Sequence, residues 1–420
     1  MRSELETALG NHNIYVARRS EFETGLRIPF RVSPEPLNLS DSQKKEITGI
    51  GTDISAYYMA VDALYRSDER VRDLLNTGKP EMFLGDRPAD YLFIRPDLVI
   101  TPQGFSICEV ETSPFGLALA EVLNRGYVGA GFETMVDDGT LPKYVQANTP
   151  VDGRIIYSNK TKAYAGQMSY LAEHVFSGEN RDWQSDLVND HTSSDSQNIY
   201  RGFYLSEAMK DPHVNMLLQN QMHQDGTLLP SPTPHLEEKA NLALIWDRRF
   251  DAYFRQEIGP GAVTHLRHVV PPSWIVGQEE HFMPGLPDGI SSSTGLALLS
   301  KSKRAFVLKH SGFGENSSWA EGVTFLHEKS SEKAGAALAQ SSIDTSGLHI
   351  VQEFRRGMKI PMEYIAQDGT HSAMAARVRL TPYFSYVPGQ EGRLVAMKAT
   401  GCENTDFIHA SSASINTAVS

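Results

Sequence analysis

The sequence predicts an α/β fold of more than one layer. Short apolar strand patterns alternate with helical patterns from about residue 92 to residue 383, which is the signature of a layered α/β protein. One of these segments, 92–111, reads as a β-hairpin rich in charged groups. The chain has 420 residues, enough for two or three domains with a substantial core.

Composition narrows the class. Hydrophobic residues make up 40% and charged residues 21%, as in globular proteins. The net charge is −12, from 39 basic and 51 acidic side chains, which disfavours a nucleic-acid backbone as the main partner. The two cysteines, Cys108 and Cys402, offer neither metal-ligand spacing nor a disulfide framework, as expected in a reducing cytosol. The N-terminus lacks an apolar signal core, and there is no apolar run of roughly 18 residues. A cytoplasmic protein without a membrane span is therefore expected.

The elements follow in order. Residues 41–76 are helical in pattern, with Ser40 or Asp41 as cap. The hairpin comes next, and Ser113-Pro114 then starts a helix from Phe115 to Tyr127. Residues 138–152, rich in Gly, Pro and Asp, read as a linker. A buried strand at 153–158, a helix at about 163–176, a polar surface loop at 177–197 and a strand at 200–204 follow. A third αβ element covers 205–230. The Pro-rich stretch 230–234 precedes an amphipathic helix from Leu236 to Trp246. A helix at 290–301 and a strand at 305–309 lead to a glycine loop. A helix near 320–340 and strands near 347–355, 360–366 and 373–383 complete the body, and 406–419 reads as a last helix.

The hairpin carries the strongest chemical signal. Its arms flank the turn sequence Thr101-Pro102-Gln103-Gly104. With the loop centred on Gln103, Asp97 faces Glu109 and Arg95 faces Glu111. All four share one face, because side chains alternate along a strand. Three crowded carboxylates repel one another and call for positive charge. A hard divalent cation such as Mg2+ would supply it. A solvated hairpin with a cross-strand Arg95–Glu111 pair is the alternative.

Further motifs lie downstream. Lys309 ends an apolar strand and precedes a loop of small residues, His310 to Ser318, in which Gly312 and Gly314 allow backbone N–H groups to approach an anion. Val351, Gln352 and Glu353 end another apolar strand and can present polar groups to a purine. Lys239 lies in the first turn of its predicted helix, where an anion would offset its unfavourable interaction with the helix dipole.

In this order the motifs resemble the circularly permuted ATP-grasp superfamily, which includes the synthetase domains of glutathionylspermidine-synthase-like enzymes. The resemblance runs from about Tyr91 to the C-terminus. Arg95-Pro96-Asp97 with Glu109-Val110-Glu111 resembles the metal-binding block. Asn198 to Phe203 resembles a "Tyr-Arg-Arg-Phe" strand with Gly202 at the second arginine. Glu238 to Leu244 is similar to an "Asn-Lys-Ala-Leu-Leu-Ala-Leu" helix, and His268 to Pro272 is similar to the segment after it. Lys309 with its loop resembles the second lysine and the phosphate-covering loop, and Val351 to Glu353 resembles the adenine hinge. Departures occur at Glu111 and Glu238, where asparagine is usual, and at Phe313 and Glu315 in the glycine loop. A competing carboxylate set, Glu403 and Asp406 with Asn404, sits in a turn-like stretch whose alternative reading is a helix cap.

The resemblance implies a circularly permuted ATP-grasp fold of α+β lobes with a small αβ pre-ATP-grasp-like domain, divided as 1–150, 151–235 and 236–420. The first segment would hold an N-terminal helical part and the metal hairpin, the second the substrate side, and the third the ATP-binding lobes. It implies a ligase that forms an amide between a carboxylate and an amine through an acyl phosphate, with ATP and Mg2+. Asp97, Glu109 and Glu111 would hold metal. Lys239, Lys309, Gly312, Gly314, Gln352, Glu353 and Phe354 would bind nucleotide. Arg95, Lys309 and Arg379 are the catalytic candidates, and Arg201 is a further clamp for phosphate or carboxylate. Small-molecule or peptide acids and amines would be the substrates, and homo-oligomerisation is compatible with this reading. An inactive ATP- or ligand-binding partner subunit and a phosphotransferase are the alternatives.

Overall fold

The computed structural model describes residues 30–85, 87, 89–191, 198–222, 226–313, 322–366, 370–387, 389–409 and 413–420. Its strands are β1 (Arg31–Val32), β2 (Phe93–Thr101), β3 (Gly104–Glu111), β4 (Asp152–Tyr157), β5 (Asp182–Leu187), β6 (Ile199–Gly202), β7 (Leu228–Leu229) and β8 (Ser273–Ile275). They continue with β9 (Phe306–His310), β10 (Val323–Phe325), β11 (His349–Glu353), β12 (Lys359–Ile365), β13 (His371–Ser385), β14 (Leu394–Glu403) and β15 (Ile415–Thr417).

These strands form three sheets. The largest runs β12-β1-β15-β14-β13-β2-β3, and β12 also pairs with β13, so five of its strands close on themselves. The hairpin β2–β3 extends that sheet beyond the closed part. A second sheet, β10-β9-β11-β8, is antiparallel throughout. A third, β5-β4-β6-β7, is parallel and spans residues 152–229.

The long helix Asp41–Ser67 starts as its sequence directs. Ser40 accepts from the Gln43 N–H, and the Gln43 side chain returns a bond to the Ser40 N–H, forming a capping box. Its buried stripe includes Ile47, Ile50, Ile54, Tyr57, Val61 and Leu64. These residues share a core with Leu98 and Ile100 of β2, Leu380 and Phe384 of β13, and Ala399 of β14. Each large apolar side chain buried there stabilises the fold by about 1.5–3 kcal/mol. Asp68 ends this helix and caps the next, Glu69–Leu75, by accepting from the Arg70 N–H.

Several segments differ from expectation. The linker at 138–152 contains a helix, Thr140–Ala147, because Leu141 and Val145, four residues apart, are both fully buried. The polar loop at 177–197 contains β5, whose Trp183 lies so close to Gly153 that a Cβ there would sit 2.5 Å from the indole. The helix expected over 236–246 is a 3-10 turn, Pro234–Leu236, then a short helix, Asn241–Leu244; Lys239 lies in the turn between them. The Asn241 side chain donates to the His235 carbonyl at 2.9 Å and fixes that turn. The segment 290–301 forms only a 3-10 helix, Ser293–Leu298. The helix expected near 320–340 is Ser331–Ile343, capped by Ser330. The largest difference is at the C-terminus. In place of a helix over 406–419, β15 pairs antiparallel with β14 and parallel with β1, and the side chain of Asn416 accepts from Thr400 Oγ1 at 2.9 Å. Pairing with distant strands overrides the local helical pattern. Among the described residues no helix is long and apolar enough to cross a membrane.

Candidate functional site

The hairpin register is Arg95↔Glu111 and Asp97↔Glu109, as expected, but it arises differently. The turn is centred half a residue earlier, with Thr101 opposite Gly104, and a β-bulge at Cys108 restores the pairing beyond it. A bulge takes one residue out of the ladder. Here that residue is Cys108, whose carbonyl accepts from Lys309 Nζ. The irregularity thus links the hairpin to β9.

The charged groups converge. Arg95 contacts Asp97 Oδ1 at 3.0 Å and Glu111 Oε1 at 2.9 Å, and donates to the Phe115 carbonyl at 2.9 Å. Arg379, from β13, reaches Asp97 Oδ2 at 3.1 Å. Both Asp97 oxygens are therefore engaged by guanidinium groups. Lys239 meets Glu109 Oε1 at 3.0 Å. Lys309 donates to Gln352 Oε1 at 2.7 Å, and the Gln352 amide donates to Ser273 Oγ at 3.1 Å. The Phe115 carbonyl also accepts from Tyr383 at 2.8 Å, which ties the start of the helix Leu117–Gly129 to the cluster.

Environment separates the two hairpin glutamates. Burial raises the Glu109 carboxyl, but Lys239 and Lys309 outweigh it and hold the group well below the usual range. Burial dominates for Glu111 and pushes it upward, with Glu109 and Asp97 adding to the effect against the pull of Arg95. Two buried atoms in this cluster have no hydrogen-bond partner: Glu111 Oε2, an acceptor, and Arg379 Nε, a donor. A cation would satisfy the first and an anion the second.

Beside this cluster is a sealed network. Glu238 forms an ion pair with Lys79, both side chains being almost wholly buried, and accepts from Ser311 Oγ. Ser311 Oγ also accepts from the Ala240 N–H at 2.8 Å. Gly312 has φ +67°, and a Cβ there would lie 1.7 Å from Glu238 Oε1. Only glycine fits between this backbone and Glu238. Phe313 packs on Phe83 with ring centroids 5.2 Å apart.

Thus Arg95, Asp97, Glu109, Glu111, Lys239, Lys309, Arg379 and Gln352 form one contact network, and Gly312 joins it through Glu238 and the Lys239 turn. Glu353 and Phe354 do not join it through their side chains. Glu353 faces Arg355 at 3.7 Å, and Phe354 stacks on His327 at 4.8 Å between ring centroids. Gly314 lies outside the described residues. Arg201 is held by Glu237 and by the carbonyls of Phe203 and Pro230.

The sequence reading missed Lys79 and Lys398. Lys398 is buried on β14 and donates to Thr400 Oγ1 at 3.0 Å. Burial, reinforced by Arg379 and Arg95, pulls its ammonium down to about 7. A lysine inside the apolar run Leu394 to Ala399 was the available signal.

No protein-family model and no curated protein matches the chain. Among solved structures, a glutathione synthetase-like effector from Globodera pallida, in its apo form, is similar over 99% of this chain and 95% of its own length. The TM-score is 0.57 and the identity 9%. The likeness concerns the fold, a mixed α/β architecture similar to that of a glutathione synthetase-like protein.

Proposed function

We propose that the protein is an ATP- and Mg2+-dependent ligase that joins a carboxylate to an amine, on a circularly permuted ATP-grasp fold. The observation that carries this reading is the convergence of Arg95, Arg379 and Lys239 on Asp97, Glu109 and Glu111, with Lys309 joining from β9 at the Cys108 carbonyl. In this reading the parallel sheet within 151–235 is the substrate side, and the antiparallel sheet of 236–420 carries the nucleotide.

The residues fit a metal and a phosphate. The unpartnered Glu111 Oε2 suits a hard cation, and the unpartnered Arg379 Nε suits an anionic oxygen. Glu109 and Glu111 would hold Mg2+, while Asp97, with both oxygens on arginines, would set the guanidinium groups as well as border the metal. When bound, the metal supplies neutralising charge at the phosphates. Lys239 and Lys309 would exchange their present partners for phosphate oxygens. Gly312 and Gly314 would cover the phosphates, and the backbone of Gln352, Glu353 and Phe354 would border the adenine. Arg95 and Arg379 would orient the substrate carboxylate as it accepts the γ-phosphoryl group and ADP leaves. The amine then attacks the acyl carbon, inorganic phosphate departs and the amide remains.

A second reading, a nucleotide- or ligand-binding protein without turnover, is favoured by one feature. Lys309 Nζ is already held by the Cys108 carbonyl and Gln352. An ADP-release screen with acids, amines and both together discriminates the readings. Ligase activity requires release only when both are present, and Glu109→Gln should lower it by about a thousandfold with an unchanged melting temperature. Binding of a non-hydrolysable ATP analogue without turnover, weakened in Lys309→Ala, would select the second reading.

A further inference from the structure

We propose that His310, Asp344 and His349 form a site for one first-row divalent cation, Zn2+, beside the start of the glycine loop. This inference does not depend on the ligase reading. The three residues come from three elements: the end of β9, the residue after the helix Ser331–Ile343, and the start of β11. His310 and His349 are direct cross-strand partners in the β9–β11 ladder. Their rings lie 4.5 Å apart between centroids.

One ligating atom from each residue lies within 4.8 Å of the others. His349 Nε2 is 3.7 Å from Asp344 Oδ2, too far for a hydrogen bond. A tetrahedral zinc ion with bonds of about 2.1 Å would bring its donors to about 3.4 Å apart, a contraction within reach of side-chain rotation.

The second observation is the state of the donors. His310 is only 8% exposed, and its Nε2 has no hydrogen-bond partner. His349 Nδ1 is likewise unpartnered. A polar atom is costly to bury unsatisfied, and a cation would satisfy His310 Nε2 while taking one of the two ring nitrogens of His349. Gly347 makes room for this arrangement, since a Cβ there would lie 2.7 Å from His310 Nε2.

The Asp344 carboxylate is already oriented as a ligand. Its Oδ1 accepts from the Ser346 N–H at 2.9 Å and from Ser346 Oγ at 2.6 Å, leaving Oδ2 on the histidine side. Two imidazoles and one carboxylate suit Zn2+ better than Mg2+, which prefers oxygen donors. Three protein ligands leave a fourth position for water. A second cluster, His327, Glu328 and Asp406, makes a poorer site. Its Asp406 is already neutralised by Arg356 at 2.7 Å and Arg377 at 3.4 Å.

A bound ion would join the end of β9 to the start of β11 and to the C-terminal end of the neighbouring helix. Since His310 lies between Lys309 and Ser311, the ion would stiffen the backbone that carries both. The test uses the full chain, free of affinity tag and stripped with a chelator. Calorimetric titration with Zn2+ should give one site per chain. Co2+ in its place should give a visible ligand-field spectrum of four-coordinate type. His310→Ala, His349→Ala and Asp344→Asn should each weaken Zn2+ binding by about a hundredfold or more, with the far-ultraviolet circular dichroism unchanged. If His310→Ala does not fold, the two more exposed positions decide. Absence of saturable binding, or undiminished affinity in His349→Ala and Asp344→Asn, overturns the proposal.

Discussion

Lys79 and Lys239 each pair with a glutamate, and the two pairs are neighbours, because Glu238 holds the first lysine and Lys239 is the next residue. They differ in access. The Lys79 and Glu238 side chains are 0% and 1% exposed, whereas those of Lys239 and Glu109 are 11% and 32% exposed. A sealed pair cannot exchange its partner for a ligand, so its role is to fix the backbone. A pair with access to solvent can exchange, so phosphate can compete for Lys239 but not for Lys79. The same chemistry serves anchoring at one position and recognition at the next, with burial making the difference.

The largest test is to break the sealed pair. Lys79→Met leaves the Glu238 charge buried without its lysine and should cost about 3–5 kcal/mol in urea unfolding. The double variant Lys79→Met with Glu238→Leu should recover much of that. Equal losses in the single and double variants would mean that side-chain packing, rather than charge, holds this region.

A smaller effect is expected at Gly312, whose backbone lies against Glu238. Gly312→Ala forces a Cβ into a left-handed position already filled by the carboxylate and should cost about 1–3 kcal/mol. On a Glu238→Ala background the penalty should fall, leaving only the backbone part. Simple additivity would show that Glu238 does not constrain the loop.

The smallest effect sharpens the comparison with a third lysine, Lys398, whose ammonium bonds to Thr400 rather than to a carboxylate. Its value falls from the ordinary 10.5 to about 7 on folding. Between those values the unfolded chain binds more protons, so this group makes stability rise with pH across that window. Lys398→Met should therefore stabilise the protein at pH 6 by on the order of 1 kcal/mol. The gain should shrink toward pH 9. A gain independent of pH would mean that Lys398 is unshifted. Melting curves of both proteins across that range decide the matter.

Part of the hairpin was legible because strand alternation is a local rule: Arg95 and Asp97 share a face of one arm, and Glu109 and Glu111 share a face of the other. The bulge at Cys108 was not legible, since it compensates for a turn shifted by half a residue and depends on packing against β9. Phe313 stood out only as a large residue in the glycine loop, because Phe83, on which it packs, lies far away in sequence. The helix read over 406–419 failed for the same reason. Small and polar residues there are compatible with a helix, yet β14 and β1 offer hydrogen-bonding edges that no local pattern records.

The sequence by itself determined much of the alternation of strands and helices, a helix start at Ser40 or Asp41, the face that Arg95 shares with Asp97 and that Glu109 shares with Glu111, and the placement of Lys309 near a strand end before a glycine. These depend on backbone geometry over a few residues. Only the tertiary structure decided which lysine meets which carboxylate, that Glu238 is buried with Lys79 while Glu109 remains accessible beside Lys239, and that His310 and His349 face each other near Asp344. Those outcomes depend on desolvation and on pairing between distant segments, and both are properties of the packed chain.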